Sequence, residues 1–389
     1  MNDKKKVLCI ASMASNLDNF NRNNVRLLRK LGYEVTLASN FNTKEDTNSQ
    51  QKIKSFVKEM QAEGIVIKQI DFSRHIGSIR RQLNSFKQVK ELLSNRFDLI
   101  HCHTPICAAI TRICAKKYRR SGTKVIYTAH GFHFYDGAPA KNWIVYYPIE
   151  KWLSKYTDAL ITINKEDYRR ALGCLRAKKV VYIPGIGVDT GKYGKETCGK
   201  DIRKDIGIKD TDIVFLSVGE LNDNKNHETV IKALGKLKKD TSLLKNIFYV
   251  IAGMGEKEVY LKKLIKEYDL LNEVKLIGYC SDMVDLYKAA DVFVFPSYRE
   301  GLSLSLMEAM ASGLPVICSK IRGNVDLINQ GKGGVFFNPY SVDDLVSAIK
   351  YLLKSDRKTM GKYNKNRIRK YDISQIDCYM KRIYESIDN

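Results

Sequence analysis

No stretch of the chain approaches the ~18 consecutive apolar residues that a membrane-spanning helix needs, the longest candidates being short runs such as Ile247 to Ala252 and Val292 to Phe295. A helical membrane crossing is therefore not expected. The nine cysteines, at positions 9, 102, 107, 114, 174, 198, 280, 318 and 378, form no C-x-x-C pair and no evenly spaced framework. That excludes a disulfide scaffold and predicts the reduced thiols of a cytosolic protein. Internal repeats and low-complexity segments are absent as well. The N-terminal Lys4-Lys5-Lys6 before Val7 to Ala14 imitates an export signal, but the apolar run is at the lower limit of length and contains Ser12, so a first buried strand is expected there. Acidic charge is scarce: 43 Asp and Glu stand against 66 Lys and Arg, and of the net +23, +17 falls on residues 1–189 and +6 on the remainder. Such a field favours a polyanionic partner, whether nucleic acid, an anionic membrane surface or a phosphorylated ligand.

What is present is ordinary globular composition, 44% hydrophobic and 28% charged, over 389 residues, a length two to three times the ~150 usual for one domain. A single small module and a wholly disordered chain are both excluded. Short apolar runs alternate with amphipathic segments throughout, the pattern of βα units on parallel sheets. In the first half the strand candidates are Val7 to Ala11, Glu34 to Ala38, Ile65 to Ile70, Asp98 to Cys102, Lys124 to Ala129, Ala159 to Ile163 and Val180 to Ile183. Helices are predicted at Asn21 to Leu31, stopped by Gly32, and at Ser78 to Leu93, Ile106 to Arg119 and Asn142 to Lys155, the last kinked at Pro148. After the Gly-, Lys- and Asp-rich stretch Pro184 to Asp212 a second series begins. Its strands are Ile213 to Val218, Phe248 to Ala252, Val274 to Ile277, Val292 to Phe295, Pro315 to Cys318 and Gly334 to Phe337. Its helices are His227 to Lys238, Lys257 to Tyr268, Met283 to Ala289, Leu304 to Ala311 and Val342 to Leu353, and a basic amphipathic helix closes the chain. The fold class is thus α/β, with two doubly wound domains joined near Pro184 to Asp189, and ligands expected at the carboxyl ends of the strands, in a cleft between the domains.

The most informative segment runs from Arg299-Glu300-Gly301-Leu302-Ser303-Leu304-Ser305-Leu306-Met307-Glu308 to Gly313-Leu314-Pro315-Val316. It sets two carboxylates eight positions apart around a turn that feeds a helix. A helix start after a strand offers free N–H groups and a positive dipole end, suited to a diphosphate or to sugar hydroxyls, and adjacent carboxylates accept from hydroxyls. Glu308 then suits a ribose diol and Glu300 a sugar ring. Ser305-x-x-Glu308 also has the spacing of a capping box, in which Glu308 bonds only backbone. Both readings stand on these residues alone.

The Glu300-x7-Glu308 segment resembles the signature of the retaining GT-B glycosyltransferases of family 4. Further segments resemble that family in the expected order: Ile100-His101-Cys102-His103-Thr104-Pro105, Thr128-Ala129-His130-Gly131-Phe132-His133, Ile183-Pro184-Gly185-Ile186-Gly187-Val188-Asp189, Val218-Gly219-Glu220-Leu221 through Lys225-Asn226-His227, and Ala252-Gly253-Met254-Gly255-Glu256. Tyr127 to Tyr135 with Asn142-Trp143 to Asp167 is most similar to members encoded in bacterial exopolysaccharide and capsule clusters. The resemblance covers almost the whole chain. It implies an acceptor-binding domain over 1–189, a nucleotide-sugar-binding domain over 190–370, and a C-terminal helix over 371–389 packing back on the first domain.

By the same resemblance Glu308 holds the ribose hydroxyls, Glu300 meets the donor sugar near the reacting carbon, and the backbone of Gly301, Leu302 and Ser303 meets sugar and diphosphate. Lys225 stands where the family keeps a lysine on the diphosphate, where negative charge grows as the leaving group departs; no metal or other cofactor is expected. Tyr279, just after a strand, is placed near the nucleotide base. His130, at the carboxyl end of a strand, is the family's histidine at the reacting centre, with His133 a weaker candidate beside it. His101 and His103 share one strand face and suggest packing rather than a metal pair, since no third and fourth ligand follows at sensible spacing. Two departures stand out. The position five before Lys225, an arginine in relatives, is Glu220, so that either Glu220 points away or another base such as Arg322 supplies the charge. The first strand-to-helix turn, Ala11 to Asn19, has no glycine where relatives have a pair.

The implied activity is transfer of a hexose or N-acetylhexosamine from a nucleoside diphosphate sugar, with UDP the expected nucleotide, to a polyprenyl-diphosphate-linked glycan with retention of configuration, in exopolysaccharide or capsule synthesis. A cytoplasmic enzyme held peripherally on the inner face of the cell membrane is expected. Its basic surface is Arg80, Arg81, Lys87 and Lys90, beside Ile76, Ile79, Leu83 and Phe86 at helical spacing, with a second cluster of Arg112, Lys116, Lys117, Arg119, Arg120 and Lys124. An epimerase or hydrolase of nucleotide sugars on the same fold is the enzymic rival. Nucleic-acid binding is the non-enzymic one, and the chain carries no RNP, KH, helix-turn-helix or zinc signature for it.

Overall fold

The computed structural model describes residues 4–46, 48–74, 79–195, 200–240 and 246–388. Backbone contacts divide the chain into two units, one of residues up to Ile186 together with those from Ser374 onward, the other Gly187–Ile373.

The first unit runs β1 (Lys6–Met13), α1 (Ala14–Phe20), α2 (Arg22–Lys30), β2 (Glu34–Asn40), α3 (Gln50–Ala62), β3 (Val66–Gln69), α4 (Ile79–Leu92), β4 (Leu99–His103), α5 (Pro105–Arg119), β5 (Lys124–Ala129), α6 (Ala140–Ser154), β6 (Ala159–Thr162), α7 (Lys165–Cys174) and β7 (Lys179–Tyr182). Its seven strands lie parallel in the order β3-β2-β1-β4-β5-β6-β7, so the order reverses between β1 and β4. A sheet covered on both faces needs strands apolar on both, and β1 shows this: Val7, Cys9 and Ala11 enter one core, Leu8, Ile10 and Met13 the other. Ser49 caps α3 by accepting from Lys52 N, and Asn164 caps α7 by accepting from Asp167 N.

Several boundaries differ from the predicted ones. The helix expected at Asn21 to Leu31 is α2, and an unpredicted helix precedes it: the glycine-free segment after β1 continues directly into α1 and buries Ala14 and Leu17, with Asn21 Nδ2 donating to Asn16 O. The unpredicted α3 buries Ile53, Phe56 and Met60, and the unpredicted α7 buries Ala171. α6 runs through Pro148 without a break. Ile76, Ser78 and Cys198 lie outside the described residues.

The second unit runs α8 (Thr190–Gly194), α9 (Lys200–Asp205), β8 (Ile213–Val218), α10 (His227–Asp240), β9 (Ile247–Ala252), α11 (Glu258–Glu267), β10 (Val274–Gly278), α12 (Met283–Ala289), β11 (Val292–Phe295), α13 (Leu304–Ala311), β12 (Val316–Ser319), α14 (Asn324–Leu327), β13 (Gly334–Phe337), α15 (Val342–Lys354) and α16 (Arg357–Ile368). Six parallel strands follow the order β10-β9-β8-β11-β12-β13, reversing between β8 and β11. The helix expected over 371–389 is α17 (Ile373–Asp388), which contributes Ile376, Met380, Ile383, Tyr384 and Ile387 to the core of the first unit, and the unpredicted α16 before it stays with the second. Among the described residues no helix is long and apolar enough to cross a membrane. The eight described cysteines are free, and burial pushes the Cys9 and Cys102 thiols up to about 12.

Candidate active site

In the second unit the candidate residues gather where the strand order reverses, at the carboxyl ends of β8 and β11. The loop after β8 is shaped by Asn222, whose side chain accepts from Lys225 N at 3.0 Å, and Asn224, which donates to Arg299 O at 3.0 Å and accepts from Tyr298 N at 2.8 Å. This stitching brings Lys225 Nζ to 2.8 Å from Glu300 Oε1, with the ammonium 4.9 Å from the centre of the Phe295 ring. Both side chains are mostly buried, so the ion pair is only lightly screened.

Glu300 opens the turn into α13. The helix is capped by Ser303, whose hydroxyl accepts from Leu306 N at 3.4 Å, and not by Ser305. Glu308 therefore does not complete a capping box: Tyr193 donates to its Oε1 at 2.7 Å and Tyr287 to its Oε2 at 2.9 Å. Burial raises the Glu308 carboxyl above its ordinary value, and the two hydroxyls work against that rise. Arg322 lies beneath the turn, its Nε donating to Glu300 O at 3.0 Å, and the next residue, Gly323 at φ +78°, approaches so closely that a Cβ there would stand 2.2 Å from Gly301 O. Only glycine allows this contact. Leu302 and Ser303 are buried, and Gly301 is half-buried.

Glu220 Oε2 accepts from Asn222 Nδ2 at 3.1 Å, so Glu220 braces the loop that carries Lys225. The turns after β8 and β9 touch through Gly253, φ +153°, where a Cβ would stand 1.9 Å from Gly219 O. Tyr279, just beyond the edge strand β10, is 66% exposed.

In the first unit, three imidazoles gather at the carboxyl ends of β4 and β5. His103 Nδ1 and His130 Nε2 lie 3.3 Å apart, and the rings of His101 and His103 are 4.2 Å centre to centre. His101 uses both nitrogens, Nδ1 with Tyr384 Oη at 2.9 Å and Nε2 with Thr128 Oγ1 at 2.8 Å, so α17 is bonded to the histidine cluster. Burial lowers His101 to about 3, His103 well below its usual value and His130 to about 4, which keeps all three neutral near pH 7. Because both partners are neutral, one proton serves the His103–His130 contact and the tautomers of the two rings are linked. His133 is turned aside and stacks on Tyr146 at 4.5 Å.

The two basic clusters separate by environment. Arg80, Arg81, Lys87 and Lys90 on α4 are exposed, Arg81 pairing with Glu45 at 2.7 Å, and Lys116 and Lys117 on α5 are exposed. Ile79 and Leu83 are 79% and 59% exposed, whereas Phe86 packs on the core. Arg112, predicted as part of the second cluster, is instead fully buried, bonded bidentately to Glu150 at 2.6 and 3.0 Å, and Arg119 pairs with Asp158. A guanidinium facing the core needs a buried acid, and Glu150 on α6 provides it. Sequence reasoning missed Tyr193, Tyr287 and Tyr384. No local pattern marks them, since Tyr193 meets a carboxylate 115 positions away and Tyr384 a histidine 283 away.

Two all-parallel units in one chain, with a lysine–glutamate pair and a capped helix start at the switch point of the second, define a glycosyltransferase of the GT-B class. Residues 19–192 match the family described as Glycosyltransferase Family 4 and residues 199–367 the one described as Glycosyl transferases group 1. The chain belongs to this family. It is similar to Bacillus subtilis EpsD, named as a glycosyltransferase, with 37% identity over 333 residues, 85% of this chain and 82% of that one. It is also similar to the UDP-Gal:alpha-D-GlcNAc-diphosphoundecaprenol alpha-1,3-galactosyltransferase of Escherichia coli, with 30% identity over 75% of this chain and 76% of that one. The solved structure of Anabaena HepE in complex with UDP and glucose shares the fold, with a TM-score of 0.77 at 17% identity, over 98% of this chain and 100% of that one.

Proposed function

We propose that the protein is a retaining transferase that moves a hexose or N-acetylhexosamine from a UDP-sugar to a polyprenyl-diphosphate-linked glycan in exopolysaccharide or capsule synthesis. The observation that carries this reading is the placement of Lys225 and the Ser303-capped start of α13 beside Glu300, with the tyrosine-held Glu308 one turn further along. The similarity to the Escherichia coli galactosyltransferase, named for a UDP-Gal donor and a GlcNAc-diphosphoundecaprenol acceptor, supports a UDP donor and a diphosphoundecaprenol acceptor.

In this reading Glu308 accepts from the ribose hydroxyls, an interaction of order 1.5–3 kcal/mol for a charged acceptor. Lys225 releases Glu300 to the sugar and turns to the diphosphate. The bond between the anomeric carbon and the phosphate oxygen breaks as the acceptor oxygen bonds that carbon from the same face, and the acceptor's proton passes to the departing phosphate. Lys225, Arg322 and the α13 N–H groups take up the charge that develops, so no metal ion and no enzymic nucleophile are required. His130, neutral at the carboxyl end of β5, is the residue we assign to the donor sugar. The α4 and α5 cations hold the enzyme peripherally on the inner face of the cell membrane, each worth ~1 kcal/mol close to an anionic leaflet.

A panel of UDP- and GDP-sugars, with and without a polyprenyl-diphosphate GlcNAc acceptor, tests the reading. The expected result is nucleotide release that depends on acceptor and yields an anomeric configuration matching the donor's. Release independent of acceptor would mark a hydrolase instead, and an inverted product would remove the retaining step.

A further inference from the structure

Between α4, α5 and α6 the first unit contains a cavity of about 240 Å³ that the catalytic reading leaves unused. Its wall is formed chiefly by Ile106 and Ile110 of α5, Phe132, and Val145, Ile149 and Leu153 of α6. The acid in that wall, Glu150, has both carboxylate oxygens bonded to Arg112, so it presents no uncompensated charge to an occupant. The apolar surface continues outward along α6, where the wall residues Val145 and Ile149 are 46% and 49% exposed. An apolar hollow opening into exposed apolar residues marks a site for an apolar ligand.

We infer that this cavity seats the isoprenoid chain of the lipid-linked acceptor. Three features select that occupant. The cavity wall includes Gly131, Phe132 and His133, the residues directly after His130, so a chain held there carries its head group toward the reacting end of β5. The same helices carry Arg80, Lys87, Lys116, Lys117, Lys151 and Lys155, cations suited to a diphosphate joined to an apolar tail and to the anionic surface from which the lipid is drawn. The size fits as well: an apolar cavity of 150 Å³ holds the six carbons of benzene, so this one takes about ten carbons, two isoprene units. The inference rests on the proposed acceptor, and it adds where the lipid binds and that the first isoprene units are read by the protein.

Both tryptophans of the chain, Trp143 and Trp152, lie on α6, so intrinsic fluorescence reports on this cavity. Farnesyl diphosphate should shift it saturably and inorganic diphosphate should not. Ala109→Phe, which fills the cavity from α5, and Ile149→Glu, which places a charge at a half-exposed wall position and tests the site without disturbing the core, should each weaken farnesyl diphosphate at least tenfold. Both should raise KM for a polyprenyl-linked acceptor with kcat and UDP affinity unchanged. Wild-type KM in both variants with the polyprenyl acceptor still used, or inorganic diphosphate shifting the fluorescence as farnesyl diphosphate does, overturns the inference and leaves the transferase reading intact. Transfer to a water-soluble glycan but to no polyprenyl acceptor defeats the acceptor reading itself.

Discussion

Lys225→Ala removes a cation with two duties, and the structure separates their sizes. Before donor binds, its ammonium is 2.8 Å from Glu300, the two side chains being 19% and 15% exposed. Deleting it strands a carboxylate in a poorly solvated site. For a charge-assisted hydrogen bond broken on one side that costs about 1.5–3 kcal/mol, less than the 3–5 of a fully buried pair. During transfer the same ammonium opposes charge growing on the diphosphate, and losing one such stabiliser lowers kcat by about 10²–10³. Glu300→Gln keeps the shape of the acid and removes its charge, so the double variant tells the duties apart. Urea unfolding of the four proteins should show the stability loss of Lys225→Ala largely relieved when Glu300 is Gln. Acceptor-dependent UDP release should not recover: Lys225→Ala should still cost ~10² or more in kcat measured against Glu300→Gln. If instead the two activities agree within about threefold, Lys225 is a structural partner of Glu300 and its part in leaving-group departure is wrong.

Tyr193→Phe and Glu308→Gln should each weaken UDP binding, Glu308→Gln by about 10- to 100-fold from the 1.5–3 kcal/mol of a charged acceptor, as titration calorimetry would record; unchanged affinity with lowered stability would reduce both to packing. His130→Ala should suppress transfer while UDP affinity stays within about threefold, and a variant that fails to fold would place His130 in the core instead. His101, His130 and His227, held at about 3, about 4 and about 3, and the similarly lowered His103, are neutral when folded and take up protons when unfolded. Stability is therefore full above about pH 6.5 and falls as pH drops toward the folded values, by up to ~1.4 kcal/mol per pH unit for each histidine. Urea midpoints at pH 7.5, 6 and 5 check the sign, and a midpoint that rises on acidification contradicts it. Sedimentation with liposomes should show binding that needs anionic lipid, falls at high salt and weakens when Arg80, Arg81, Lys87 and Lys90 become Glu; equal binding to neutral vesicles would remove the electrostatic account.

Local pattern carried most of the fold. Strands buried on both faces must be apolar throughout, and β5, β8, β11 and β13 lie where such runs stand in the sequence. The Glu300-to-Glu308 segment, its helix and the family were legible for the same reason, since a turn, a cap and a dipole are set by neighbours along the chain. Less legible were helices whose existence depends on burial supplied from elsewhere: α1, which forms because Ala14 and Leu17 have a core to enter, and α3, whose Ile53, Phe56 and Met60 enter the same core.

Only tertiary structure decided what each candidate side chain touches. Ser303 rather than Ser305 caps α13 because the turn from β11 places its hydroxyl under Leu306 N, and this frees Glu308 for Tyr193 and Tyr287. Arg112 reads in the sequence as one more cation of a basic face, yet the α5 surface it occupies faces the core, where Glu150 meets it. Spacing along a chain fixes which residues share a helix face or a strand edge. Which face is covered, and by which distant hydroxyl or carboxylate, is set by the packing of elements far apart in sequence, where desolvation forces every buried charge to find its partner.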